Sequence, residues 1–285
     1  MTASSSPDAR EITDPMSVVS SPNAAAQPVS ISSLYYTRSV SGPAWSPDGR
    51  QIVFSTNLTG RMNIWKVAAT GGWPLQLSES DDRQFGAVWS PDGKWIVFEQ
   101  DNGGGEIFDV YAVPSDGGDT INITGTPDIS ETNPRWSPDG SMLALSYRPK
   151  SASSIDIALL DWKSRQVHKL TNEQTKNREW GAAIWSPDGK TIYADRANAG
   201  HTDSDVYRIN VADGQSENLT PHHGDIIYSV SSVSPQGDEL LISSNEKGGY
   251  QNVALLNTAS RKITWVTDLK WEAEAGNFSP DSNRF

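Results

Sequence analysis

One tetrapeptide constrains the fold of this chain more than any other feature. Ser-Pro-Asp-Gly stands at 46–49, 90–93, 137–140 and 186–189, and altered copies follow as Ser-Pro-Gln-Gly at 234–237 and Ser-Pro-Asp-Ser at 279–282. Successive motif serines are 44, 47, 49, 48 and 45 residues apart, and Trp45, Trp89, Trp136 and Trp185 precede the first four. The chemistry is that of a turn. Pro presets φ, Asp bonds nearby backbone, and Gly accepts the left-handed conformation that realigns the chain into the next strand. Each copy therefore predicts a tight hairpin, and the turn accounts for Asp48, Asp92, Asp139 and Asp188 together, with no catalytic or metal role required.

Two further markers keep the same period. One lies 17 to 19 residues after each motif serine and begins at Asn63, Asp109, Asp156, Asp205 and Asn252. These are short β-branched and aromatic runs opened by Asp or Asn, as strands leaving turns are. The other ends in Leu77-Ser78, Ile123-Thr124, Leu170-Thr171, Leu219-Thr220 and Val266-Thr267. In the first repeat, strand signals fall near 43–46, 51–56, 63–68 and 75–78. Four short antiparallel strands in each such period define a propeller blade. A helical solenoid would need apolar residues three and four apart over helix lengths, and Gly and Pro break every such stretch.

The sequence thus predicts an all-β fold, a β-propeller of four-stranded antiparallel blades. Five are complete, near 37–80, 81–127, 128–174, 175–222 and 223–268, and a partial sixth covers 269–285. Residues 1–36 read as a flexible N-terminal tail and entry segment, rich in Ser, Pro and Ala at first. A chain that stops inside a blade leaves the ring incomplete. It reads as a fragment, expected to be poorly stable alone or to self-associate through the gap.

Composition narrows the function. The net charge of −12 disfavours phosphate backbones and anionic lipid as partners, though it also simply keeps a protein soluble. The chain has no Cys, which excludes disulfides, thiolate metal sites and a Cys nucleophile. No apolar run has the length of a transmembrane helix or of a signal-peptide core, so neither is predicted. The compartment stays open between cytoplasm and periplasm.

The residues also carry a family likeness. Trp-Ser-Pro-Asp-Gly followed by Ile-Val-Phe, at 45–49 with 52–54 and again at 89–93 with 96–98, resembles the repeat of TolB-like propellers. The same repeat occurs in the N-terminal propeller of prolyl-oligopeptidase-family serine peptidases. Gly-Gly-Trp-Pro-Leu-Gln-Leu at 71–77, Asn-Leu-Thr-Pro-His at 218–222, Asn-Val-Ala-Leu-Leu at 252–256 and Gly-Asn-Phe-Ser-Pro-Asp at 276–281 look like bacterial acylaminoacyl-peptidases or dipeptidyl aminopeptidases. The entry at 35–42 fits their opening, and the likeness spans about 29–285. It implies a non-catalytic propeller that gates peptide substrates for a following α/β-hydrolase domain. That domain's nucleophile elbow, Gly-x-Ser-x-Gly, does not occur here, so no catalytic residue is assigned.

No cofactor or metal ligand is assigned either. His168 reads as part of a solvated strand, and His201, His222 and His223 as loop residues. Asp101 to Glu106 with Asp109 gather oxygens near a Gly-rich turn but lack the alternating acids of a calcium loop, and read as a loose hairpin. Asn57, Asn122 and Asn218 begin Asn-x-Thr strings that read as repeat residues rather than sugar sites. No Gly-rich string sits between a strand and a helix as a phosphate cradle requires. Two other functions compete with the peptidase reading. One is a TolB-like protein-binding scaffold. The other is a WD-repeat hub, whose recurring Gly-His and Trp-Asp marks are missing.

Overall fold

The computed structural model describes residues 30–282 and Arg284. Most of the expected tail, 1–29, lies outside the described residues. Within the expected entry segment, Ile31–Tyr35 form a short helix, α1. Ser30 caps it, its hydroxyl accepting from the Ser33 amide at 3.0 Å. α1 belongs to a compact unit that ends at Arg38, and the described strands belong to a second unit, Ser39–Phe285. No described helix is long and apolar enough to cross a membrane.

Five antiparallel sheets follow in chain order. Blade 1 is β1 (Val40–Trp45), β2 (Gln51–Thr56), β3 (Asn63–Ala68) and β4 (Leu75–Gln76). Blade 2 is β5 (Gln84–Trp89), β6 (Trp95–Asp101), β7 (Phe108–Pro114) and β8 (Ile121–Asn122). Blade 3 is β9 (Ile129–Trp136), β10 (Met142–Pro149), β11 (Asp156–Asp161) and β12 (Val167–Lys169). Blade 4 is β13 (Arg178–Trp180) and β14 (Ile184–Trp185), then β15 (Thr191–Asn198), β16 (Ser204–Asn210) and β17 (Ser216–Asn218). Blade 5 is β18 (Tyr228–Val233), β19 (Glu239–Ser244), β20 (Asn252–Asn257) and β21 (Ile263–Trp265).

Strands neighbour one another in sequence order within each sheet, the pattern of four-stranded propeller blades in an incomplete ring. The four strand signals of the first repeat fall on β1 to β4. Blade 4 departs from the pattern: its first strand is split in two, and both pieces pair with β15.

The motif turn is built alike in each blade. The Ser46 hydroxyl donates to Asp48 Oδ1 at 2.6 Å and accepts from the Gln51 amide at 2.9 Å. Ser90, Ser137 and Ser186 repeat this with Asp92, Asp139 and Asp188. Gly49 takes φ 68° and returns its amide to the Ser46 carbonyl, closing the turn. In the altered fifth copy, Ser234 donates instead to Asp238, two residues past the missing position. The serine hydroxyl, then the amide of Arg50, Lys94, Ser141 or Lys190, holds each motif aspartate below the usual carboxylate range.

The core lies between blades. Along β10, Leu143 and Leu145 pack with Val97 and Val110 of blade 2, while Ala144 packs with Ile192 and Ala194 of blade 4. Along β6, Ile96 and Phe98 face blade 1 and Val97 faces blade 3. Successive side chains in a strand point to opposite faces, so a middle strand buried on both reads as a continuous apolar run. The same alternation makes each blade depend on its neighbours, as repeat architectures do.

Candidate functional site

The first strands of the blades converge, and each is irregular at the same place. The β1–β2 register shifts between Ser41 and Ala44, and the β5–β6 register between Phe85 and Val88. The β9–β10 and β18–β19 ladders shift at matching points. In blade 4 the same irregularity becomes the gap between β13 and β14. Gly42, Gly86 and Asn133 stand four residues before their motif serines with φ of 58°, 66° and 53°. A bulge frees a backbone amide from the ladder, and a buried amide needs an acceptor.

Around these bulges run cavities along the axis. One of about 210 Å³ is lined by Gly42, Pro43, Gly86, Glu99, Asn133 and Arg135. A second, of about 350 Å³, includes Asn133, Glu179, Asp195, His201 and Ser229. A third, of about 580 Å³, runs from Arg135 and Trp136 past Asp195 to Phe278. Asp195 therefore borders two cavities, and Arg135 borders two. This axial channel is the candidate site.

Its ionisable walls are specific. Glu99 is buried and accepts the Asn133 amide at 2.9 Å. Burial pushes its carboxyl up to about 7, against the opposing pull of that amide and of the Arg135 charge. Asp195 accepts the Val230 amide at 2.7 Å and the Ser229 hydroxyl at 3.1 Å. Burial pushes it up to about 7 as well, with those two donors opposing. At the rim, His201 Nε2 lies 3.2 Å from Glu179. Such walls offer hydrogen bonds to a polar chain. Among the described residues no serine hydroxyl pairs with a histidine, the arrangement that activates a serine nucleophile.

The other histidines fall elsewhere. His168 is exposed on β12. His222 lies in the loop that links blades 4 and 5, as expected, with its side chain largely buried and ion-paired. Its Nε2 lies 3.0 Å from Asp203, and its Nδ1 lies 2.9 Å from Asp205 and 3.0 Å from the Thr220 carbonyl. These are all acceptors, so both ring nitrogens donate. Burial works against the charged ring, yet the Thr220 carbonyl and the two carboxylates outweigh it and raise the His222 pKa. Arg178 holds Asp203 from the other side at 2.6 Å.

The Gly-rich hairpin turns its oxygens inward. Asp101 accepts from the Glu106 amide and Asp109 from the Asn102 and Asn122 side chains. Among the described residues no group of three or more His, Cys, Asp or Glu is arranged to hold a metal ion.

The two later markers turn out to be one device. The hydroxyls of Ser78, Thr124, Thr171, Thr220 and Thr267 accept the amides of Ile64, Val110, Ile157, Val206 and Val253. Four of these hydroxyls also bond the Asp or Asn that opens the third strand, as Thr171 does with Asp156 at 2.9 Å. The signal for this lock was the constant pairing of Asp or Asn with Ser or Thr. The axial carboxyls had a fainter one, a polar residue nine places after the motif serine inside an apolar strand.

The comparisons agree with this architecture. The TolB beta propeller domain model matches residues 2–148 and 128–284, and the chain belongs to that family. No curated protein matches the sequence. Among solved structures, a protein designated as a TolB of Agrobacterium tumefaciens is 20% identical with a TM-score of 0.62, over 86% of this chain and 88% of that one. A prolyl endopeptidase is 17% identical with a TM-score of 0.64, over 82% of this chain and 37% of its own. A puromycin hydrolase mutant complexed with PGG is 16% identical with a TM-score of 0.66, over 81% of this chain and 38% of that one. Likeness at such identities shows the fold alone.

Proposed function

We propose that this chain is the substrate-gating propeller of a serine peptidase, with peptide hydrolysis carried by an α/β-hydrolase domain outside these residues. The observation that carries the reading is the axial channel. Apolar and polar groups share its lining, and its first-strand walls offer backbone and side-chain hydrogen bonds to an extended peptide, with no serine–histidine pair among the described residues. The fold likeness to two peptidases, of which it accounts for little more than a third of each chain, supports the same reading. Peptides would be the partners, admitted by size and flexibility.

A TolB-like protein-binding scaffold is the second reading. It is favoured by the likeness that spans nearly the whole Agrobacterium protein. A fluorophosphonate probe applied to the native gene product in its source cells separates the two. Labelling of a product that contains these blades, with a Gly-x-Ser-x-Gly peptide recovered from it, supports the peptidase. An unlabelled product of this length rejects it in favour of the scaffold.

A further inference from the structure

The position nine residues after each motif serine is Ser55, Glu99, Ser146, Asp195 and Ser243. In three blades this side chain crosses to the next blade and accepts the amide four residues before that blade's motif serine. Glu99 takes Asn133, Asp195 takes Val230, and Ser243 takes Ala275 at 2.8 Å. At Asn133 and Val230 that amide stands at a ladder's register shift, while Ala275 lies in the segment after blade 5, and in each case the preceding blade supplies the acceptor. The same contact therefore satisfies a part-buried donor and joins two blades. Where the acceptor is a hydroxyl, the contact cannot titrate. Where it is a carboxyl, it can.

We infer that the blade 2–3 and blade 4–5 junctions are proton-operated latches: Glu99 and Asp195 hold the following blade's bulge closed as neutral acids, and on ionising they draw water into the axial channel and loosen that junction.

At Glu99 the geometry leaves little room for a charge, whereas Asp195 is half-buried, borders two cavities and already accepts two donors. A Cβ added at Gly86 would stand 2.7 Å from Glu99 Oε1, so the carboxyl is packed directly under its own blade's bulge. Of the elements packed on β6, β5 carries no ionisable group, β7 carries Asp109 and Tyr111, and β9 carries Glu131 and Arg135. Arg135 is the cation that shares the Glu99 cavity. Around Asp195, β13 carries Arg178 and Glu179, β14 none, β16 Asp205, Tyr207 and Arg208, and β18 Tyr228. Arg178 is committed to Asp203, and Arg208 to Glu217. The channel rim adds Glu179 and His201. A neutral acid keeps its carbonyl oxygen for the bulge amide at no charging cost. An ionised one must be solvated, and the cavities beside both residues are where water enters. The two carboxyls titrate near neutrality for this reason.

The test is a pH titration of backbone amides by NMR on the full 285-residue chain, with Ala275 as the hydroxyl-held control. Between about pH 5 and pH 9 the Asn133 and Val230 amide resonances shift with midpoints near neutrality. Their exchange protection, corrected for intrinsic base catalysis, falls about tenfold. Ala275 does neither. Glu99→Gln silences Asn133 alone, and Asp195→Asn silences Val230 alone. Glu99→Ser and Asp195→Ser, which install the residue of blades 1, 3 and 5, serve if the amide variants do not fold. Amides that stay still across this range overturn the inference. So does titration that persists in the variants, or a loss of protection shared equally by Ala275.

Discussion

Trp185 and Trp45 occupy the same place in the repeat, one residue before the motif serine, yet they live in different surroundings. Trp185 lies in the blade 3–4 junction, 8% exposed, and its indole N–H donates to the Arg135 carbonyl at 2.9 Å. Trp89 makes the matching bond back to Ala44. Trp45, at the end of β1 in blade 1, is 61% exposed. Local sequence is nearly constant between the two, so the difference comes from whether a preceding blade packs against the ring. In a repeat fold the energy of a side chain belongs to the interface it joins rather than to its motif.

Substitutions along that contrast should separate in order. Trp185→Ala removes a buried indole and its hydrogen bond, and should cost about 3–5 kcal/mol in urea unfolding. A cost under about 1 kcal/mol would mean that the junction contributes little. Glu99→Gln should act through pH. The folded-state pKa is raised, so the native state holds a proton that the unfolded chain has lost, and stability falls as pH rises from about 4.5 to about 7 and then levels. The variant should lose that slope, with a relative gain on the order of 3 kcal/mol at pH 8. Parallel stability curves for the two proteins would contradict it.

His222→Asn should cost about 2 kcal/mol at pH 6 through lost charge-assisted bonds. A raised histidine pKa gives stability that is complete below the ordinary value of 6.5 and is lost as pH rises through the folded value, so this cost should shrink in alkali. A pH-independent cost would show that the ring is neutral. Thr171→Val removes the acceptor of the Ile157 amide and the donor to Asp156, and should cost about 1–2 kcal/mol, read as faster exchange at Ile157. Trp45→Ala should change stability least, within about 0.5 kcal/mol. A cost near that of Trp185→Ala would show that in solution its face is covered.

The legible part of the site was small. The motif turns, the strand order and the apolar middle strands follow from local rules, and all were visible in the spacing. Asp203, Asp205 and His222 are close in sequence terms to nothing that marks them as partners. His222 comes from the link between blades 4 and 5, and Arg178 from the inner strand of blade 4, so only the packing of strands brings the four together. Glu99 and Asn133 are likewise 34 residues apart, joined because one blade's second strand lies beside the next blade's bulge.

By itself, then, the sequence determined the repeat, its period, the chemistry of each turn and the all-β blade. These depend on φ preferences and on the two-residue alternation of strands, which act over a few residues. Tertiary structure decided which copies of a constant residue are buried, which polar side chains reach across a junction, and which carboxyls hold a proton near neutrality. Burial and the sharing of a freed amide arise between blades about 45 residues apart, where no local preference extends.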